Sequence, residues 1–203
     1  MKKGTLTIII VVVLLCIVGF NGCSTYNSMV TANETVESAW AKVEVQYQRR
    51  FDLIPNLVET VKGYAKHESE TFQNVTNARA GLTDAYNKAK GLEGEDMSQT
   101  ESFEKYTGAQ ADLNKALSVY VNAVHEAYPD LKANQQFQDL QVQLEGTENR
   151  ISTERTNYTN AVKGYNISLR RFPRNIWAGI FGFSPKPQYK AEEAAQSAPK
   201  VSF

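Results

Sequence analysis

The sequence predicts an all-α protein, an up-down-up-down antiparallel four-helix bundle carried on an N-terminal membrane anchor. Three observations lead there. Apolar residues recur at helical spacing along almost the whole chain, no alternating strand pattern of useful length appears, and residues near the N-terminus are apolar on every face. The length of 203 residues and a 42% apolar share suit one domain with appendages.

The anchor comes first. Lys2 and Lys3 precede an apolar run from Leu6 to Phe20, interrupted only by Thr7 and Gly19. A soluble helix needs only one apolar stripe, so this run points to a bilayer. A spanning helix wants about 20 residues, which Thr5 to Gly22 approaches, whereas a signal peptide has a shorter apolar region and a small-residue cleavage site. Cys23, with Gly22 before it and Ser24 after it, resembles a lipoprotein cleavage box, although Phe20 and Asn21 depart from its usual residues. Uncleaved anchor, lipid anchor on Cys23 and secreted product therefore all stand as readings, with residues 1–25 assigned to anchoring. The two lysines favour a cytoplasmic N-terminus and an extracytoplasmic domain at the inner membrane.

Four helical seams fill residues 26–172. The first reads Met29, Val36, Trp40, Val43 and Tyr47; the second Leu57, Val61, Tyr64, Glu68, Val75, Ala78, Leu82 and Ala85. A third follows Phe103, Tyr106, Gln110, Leu113, Leu117, Tyr120, Val124 and Ala127. In the fourth, Phe137, Leu144, Ile151, Tyr158, Tyr165 and Phe172 recur every seven residues, with Leu140, Thr147, Glu154, Ala161 and Ser168 between them. Pro55 and the capping residue Asp52 predict a turn near Phe51, against the rival of one helix kinked at Pro55. Gly91 to Thr100 predicts a loop with Ser98 or Thr100 as cap, and Tyr128-Pro129-Asp130 another with Asp130 as cap. Short connections force antiparallel neighbours.

Composition narrows the function. Lys plus Arg equals Asp plus Glu at 22 each, so nucleic acid is not an expected partner. The two cysteines, Cys16 and Cys23, lie in or beside the apolar run, so no disulfide framework or cysteine metal site is expected in the domain. His67 and His125 stand in no Glu-x-x-His or His-x-x-x-His arrangement, and no nucleophile elbow or phosphate loop occurs. The sequence thus predicts no catalytic residue, no metal and no cofactor. Polar residues on the stripes, namely Asn33, Arg50, Glu68, Gln110 and Glu154, must be paired, hydrogen-bonded or displaced to the rim, because a lone buried charge is costly.

After the bundle, Arg170, Arg171 and Arg174 adjoin Ile176, Trp177, Ile180, Phe181 and Phe183. Tryptophan and arginine together suit a lipid headgroup interface, and a plug over the open end of the bundle is the alternative. From Ser184 onward the proline- and EEAAQS-containing stretch reads as a disordered tail, so 173–203 is taken as an aromatic segment plus tail.

The stretch from Tyr26 to Glu68, which holds RRFDLIPNLV (49–58), and the stretch from Glu148 to Phe183, which holds ENRIS (148–152) and RRFPRNIWAGIFGF (170–183), carry a resemblance. From Tyr26 onward the chain resembles the LemA family of bacterial membrane-anchored proteins. That resemblance implies a short membrane segment followed by a four-helix bundle, and it brings no established catalytic residue. Trp40, Arg49, Arg50, Asp52, Pro55, Asn56, Asn149 and Arg150 fall in the signature stretches and are expected to be structural. Cys23 departs from the plain spanning helix more usual in the family. The function expected is a non-catalytic interaction or scaffold module bound to the membrane and to an envelope protein partner. An enzyme or metal- or ligand-binding bundle using buried carboxylates is the alternative.

Overall fold

A computed structural model of the chain describes residues 3–65 and 72–189. Among them the protein is all-helical, without a strand. The elements are α1 (Lys3–Ala65), α2 (Gln73–Lys90), α3 (Thr100–Ala127), a 3-10 turn (Pro129–Ala133), α4 (Gln135–Arg170) and α5 (Arg174–Phe181). The apolar run belongs to α1, whose stretch from Ile8 onward is long and apolar enough to cross a membrane. Ile8 to Leu15, Ile17 and Val18 are all exposed there, as suits a segment solvated by lipid rather than by protein.

The expected turn near Phe51 does not form. α1 passes through Pro55 without a break, so the rival single-helix reading holds for continuity, and Asp52 is not a cap. Proline removes one backbone hydrogen bond at a cost of about 3 kcal/mol. Phe51, Leu53, Ile54, Leu57 and Val61 are buried around it, and each such side chain contributes roughly 1.5–3 kcal/mol. Burial of this face outweighs the lost bond. Pro55 itself is exposed. Within this stretch Gln48 Nε2 donates to Asp52 Oδ1 at 2.7 Å and Asn56 Nδ2 donates to the Asp52 carbonyl at 3.2 Å. The link to α2 therefore falls after Ala65. His67 and the seam position Glu68 lie outside the described residues.

Two other caps differ from expectation. α3 starts after Gln99, which gives no side-chain cap, while Asp96 Oδ1 accepts from the Ser98 amide at 2.9 Å within the preceding loop. At α4 the cap is Asn134, whose Oδ1 accepts from the Phe137 amide at 3.1 Å. Asp130 is instead taken into the 3-10 turn that Pro129 opens.

The chain divides into two compact units. Trp40–Thr156 with Pro187–Phe203 forms one. Its core collects Phe51, Leu57 and Val61 from α1, Val75 and Leu82 from α2, Leu113, Tyr120 and Val124 from α3, and Phe137, Leu140 and Leu144 from α4, with Tyr128 and Leu131 between the last two helices. α2 packs along α3, and the 3-10 turn closes against α3. Met1–Ala39 with Asn157–Lys186 forms the other unit, where Met29, Val36, Tyr158, Val162, Tyr165, Leu169 and Ala178 are buried.

Along α4 the expected heptad holds only in part. Phe137, Leu140, Leu144, Thr147 and Ile151 are buried as read, but the second seam position then moves from Glu154, Ala161 and Ser168 to Val162 and Leu169. A straight helix repeats every 3.6 residues and drifts about 20° per heptad, which brings the neighbouring residue inward. Phe172 leaves the seam altogether. α4 ends at Arg170, two residues beyond which Phe172 is 81% exposed.

Candidate functional site

A cation at a seam position is the starting point. Val43, Tyr47, Arg50, Ile54 and Leu57 follow one stripe of α1, and Arg50 is buried with its hydrophobic neighbours at 2% exposure. Such a charge persists in an apolar interior only if its donors find acceptors. Arg50 Nη1 donates to Glu148 Oε2 at 3.0 Å, and Nη2 donates to the Gln110 carbonyl at 3.1 Å and to Gln110 Oε1. Three helices, α1, α3 and α4, are thereby joined through one guanidinium. The guanidinium also lies over the Tyr47 ring, 5.4 Å from its centroid.

Aromatic rings surround this network. Trp40 sits against Phe103 at 5.4 Å and Tyr106 at 6.2 Å, and Tyr47 meets Tyr106 edge-on at 5.7 Å. Tyr189 closes the cluster, with its ring 5.1 Å from Phe103, its hydroxyl 3.3 Å from that of Tyr47, and the Arg155 guanidinium 4.3 Å over its face. Burial pushes the Tyr47 hydroxyl above the usual phenol range, although its bond to Tyr189 and the charges of Arg155 and Arg50 pull the other way. Burial likewise lowers the Arg50 guanidinium, and Glu148 opposes that shift. The site is thus a fixed cation, held by an amide and a carboxylate, inside an aromatic shell.

Two clefts of about 280 and 200 Å³ flank the network between α3 and α4, and both are lined by Arg50, Asn114 and Glu148. Asn122, Ser118 and Glu145 add polar groups to the larger one, and Leu117 and Leu144 give it an apolar wall. The residues expected to be structural divide sharply. Trp40 and Arg50 are buried in the network, whereas Arg49, Asp52, Pro55, Asn56, Asn149 and Arg150 are exposed around it. The sequence reading missed Glu148 as the partner of Arg50. A buried arginine announces that it needs an acceptor, but spacing within one helix does not say which carboxylate 98 residues away supplies it.

His125 shares a 2.9 Å hydrogen bond with Gln141 and packs against Phe137, which gives it a structural setting. Glu154 lies at a half-buried rim position. No group of three or more His, Cys, Asp or Glu that could hold a metal ion occurs among the described residues.

The basic aromatic segment lies in the other unit. Arg170 and Arg171 are exposed, Arg174 is half-buried, and the Trp177 ring packs onto Gly22 of α1 so closely that a Cβ there would stand 2.9 Å from the ring. Phe181 and Phe183 pack on Tyr26 at centroid distances of 5.1 and 5.9 Å. Cys23 is exposed next to this seat. Residues 184–189, expected to belong to a disordered tail, are instead ordered. Tyr165 donates to the Ser184 carbonyl at 3.1 Å, and the Asn166 amide exchanges two 2.9 Å bonds with the Lys186 main chain.

Comparison with known proteins adds to this geometry. The family model described as LemA family matches residues 39–203. The chain is similar to Magnetosome protein MamQ 1 and Magnetosome protein MamQ 2 of Paramagnetospirillum magneticum. Each is 27% identical over 216 aligned positions that cover 98% of this chain and 78% of the relative. It is also 24% identical to Magnetosome protein MamQ of Magnetospirillum gryphiswaldense, over all of this chain and 78% of the relative. None of these descriptions denotes an enzyme. RRFDLIPNLV and ENRIS, the segments that carried the resemblance, are the ones that Arg50 and Glu148 tie together.

Proposed function

Because the chain belongs to the LemA family, we propose that it is a membrane-anchored, non-catalytic interaction module of the bacterial envelope, its helices forming an up-down-up-down antiparallel four-helix bundle. The observation that carries this reading is the continuity of α1, a single helix that contains both the apolar run and residues of the bundle core. Four helices feed one core through short connections, which supports alternating directions. Lys2 and Lys3 favour a cytoplasmic N-terminus, so the bundle stands on the extracytoplasmic side.

Gly22 favours an uncleaved spanning helix over a lipid anchor. Processing before Cys23 would remove the residue on which Trp177 sits. The partner is an envelope protein, met at the polar clefts beside Arg50 and Glu148. A photocrosslinker at Asn122 or Glu145, both on the rim of the larger cleft, should give a discrete adduct with one envelope protein in intact cells. The same probe at the exposed Asp84 should not. Identical patterns from all three positions would overturn the assignment of that surface.

A carboxylate metal or ligand site is the second reading, favoured only by Glu145 and Glu148 lining one cleft. Metal analysis of purified protein decides it, since such an enzyme should retain stoichiometric iron, manganese or zinc.

A further inference from the structure

The eight residues of α5 are apolar on two faces, and only one of them is used. Trp177, Ala178 and Phe181 make up the packed face, with Trp177 on Gly22 and Phe181 on Tyr26 of α1, the Trp177 and Phe181 rings stacked 5.6 Å apart, and Ala178 buried. At about 100° per residue, Ile176 and Ile180 point about 125° away from that face. They are 53% and 64% exposed, and Phe172 just before the helix is 81% exposed. A soluble surface does not ordinarily carry three large apolar side chains in so short a segment without a partner.

The position of this face identifies what covers it. Leu6 to Gly22 spans about 25 Å at 1.5 Å per residue, close to the roughly 30 Å of a bilayer hydrocarbon core. Gly22 and Tyr26, where α5 is seated, therefore fall at the level where α1 leaves the hydrocarbon. The charge agrees. No acidic residue occurs from Asn157 to Tyr189, while Lys163, Arg170, Arg171, Arg174 and Lys186 are all basic. Apolar side chains at headgroup depth with arginines beside them are the composition of an interfacial helix on an anionic membrane.

We propose that Phe172 and α5 form an interfacial foot that rests on an anionic phospholipid surface beside the exit point of α1. Phe172, Ile176 and Ile180 insert below the headgroups, while Arg170, Arg171 and Arg174 meet the lipid phosphates. Trp177 is the hinge pin of this foot: its ring, wedged on Gly22, sets the distance between α5 and the spanning helix. The proposal rests on the membrane-anchored reading above and adds the lipid class and the residues that meet it.

The test uses the full chain carrying Cys16→Ala and Cys23→Ser, labelled with an environment-sensitive dye at Ile180→Cys. Separate labels go at Val13→Cys within the apolar run and at Ser152→Cys on the exposed side of α4. The proteins are reconstituted into vesicles of phosphatidylglycerol with phosphatidylcholine, or of phosphatidylcholine alone, containing lipids with a quencher at shallow depth. The Val13 label should emit as an embedded dye in both vesicles, and the Ser152 label as a hydrated one. The Ile180 label should be blue-shifted and quenched by the shallow lipid quencher, more strongly with phosphatidylglycerol. Changing Arg170, Arg171 and Arg174 together to Gln should roughly halve that quenching.

A hydrated Ile180 label beside an embedded Val13 label would overturn the foot and leave the anchor standing. A hydrated Val13 label would overturn both. An Ile180 label shielded from water yet untouched by the lipid quencher would mark a protein partner or second copy on this face, and would also overturn the proposal.

Discussion

Replacing Glu148 with Gln perturbs one end of the buried network and leaves its shape intact. At 3.0 Å, a unit charge pair is worth about 5 kcal/mol at an effective dielectric near 20. The Glu148 side chain is 38% exposed, so solvent screening reduces this to about half. Removing the carboxylate also removes its own desolvation cost, and Arg50 keeps both bonds to Gln110. The expected net loss is about 1–2 kcal/mol. For a domain of this size each kcal/mol shifts the melting temperature by about 2–4 °C, so helical melting of the full chain in mild detergent should fall by roughly 2–8 °C. Arg50→Ala should cost more, about 3–5 kcal/mol, because it leaves a cavity and an unpaired Gln110 acceptor in the core. Arg50→Met combined with Gln110→Leu should recover most of that loss, since replacing a buried polar set by apolar groups of similar volume is often neutral. If Glu148→Gln and Arg50→Ala both leave the melting temperature unchanged, the network does not brace α1, α3 and α4, and the reasoning fails.

Three further outcomes follow from particular contacts. Asn166→Ala removes both bonds to the Lys186 main chain, so exchange of the Lys186 amide should quicken roughly tenfold, as read by hydrogen exchange; an unchanged rate would mean the segment is held elsewhere. Burial raises the phenols of Tyr47, Tyr106, Tyr120 and Tyr158 above their ordinary value. These groups stay protonated in the native chain while the unfolded chain ionises near pH 10. Stability should therefore be fully present below pH 10 and fall as pH rises above it; a thermal melt that is flat to more alkaline pH would contradict these burials. Cys23→Ala should leave gel mobility and membrane fractionation unaltered if α1 is an uncleaved span, and a loss of attachment would instead establish acylation.

What was legible in the sequence was whatever depends on local period and composition. Met29, Val36, Trp40, Val43 and Tyr47 are all buried as their spacing predicts, as are the seven seam residues from Phe103 to Val124. The apolar run, the all-helical class and the loop after Gly91 follow from the same kind of signal, because a helix needs one buried stripe and a bilayer needs an apolar surface on every side. Pro55 defeated local reasoning. Its penalty is written in the residue type, but the burial of Phe51, Ile54 and Leu57 that outweighs it depends on the helices packed around them. The same holds for the end of the α4 heptad, where Val162 and Leu169 are buried in place of the residues predicted, as the 3.6-residue helical period drifts from a strict heptad.

By itself, then, the sequence determined where helices run, which stripe each buries, and that a buried Arg50 requires an acceptor. Only the tertiary structure decided that Glu148 and Gln110 are the acceptors, that Trp177 sits on Gly22, and that residues 184–189 are held by Tyr165 and Asn166. Helical period fixes the face a side chain occupies within its own helix. Which distant side chain meets it depends on how helices far apart in sequence pack, and the cost of leaving a buried charge or a bulky ring unpaired selects among those packings.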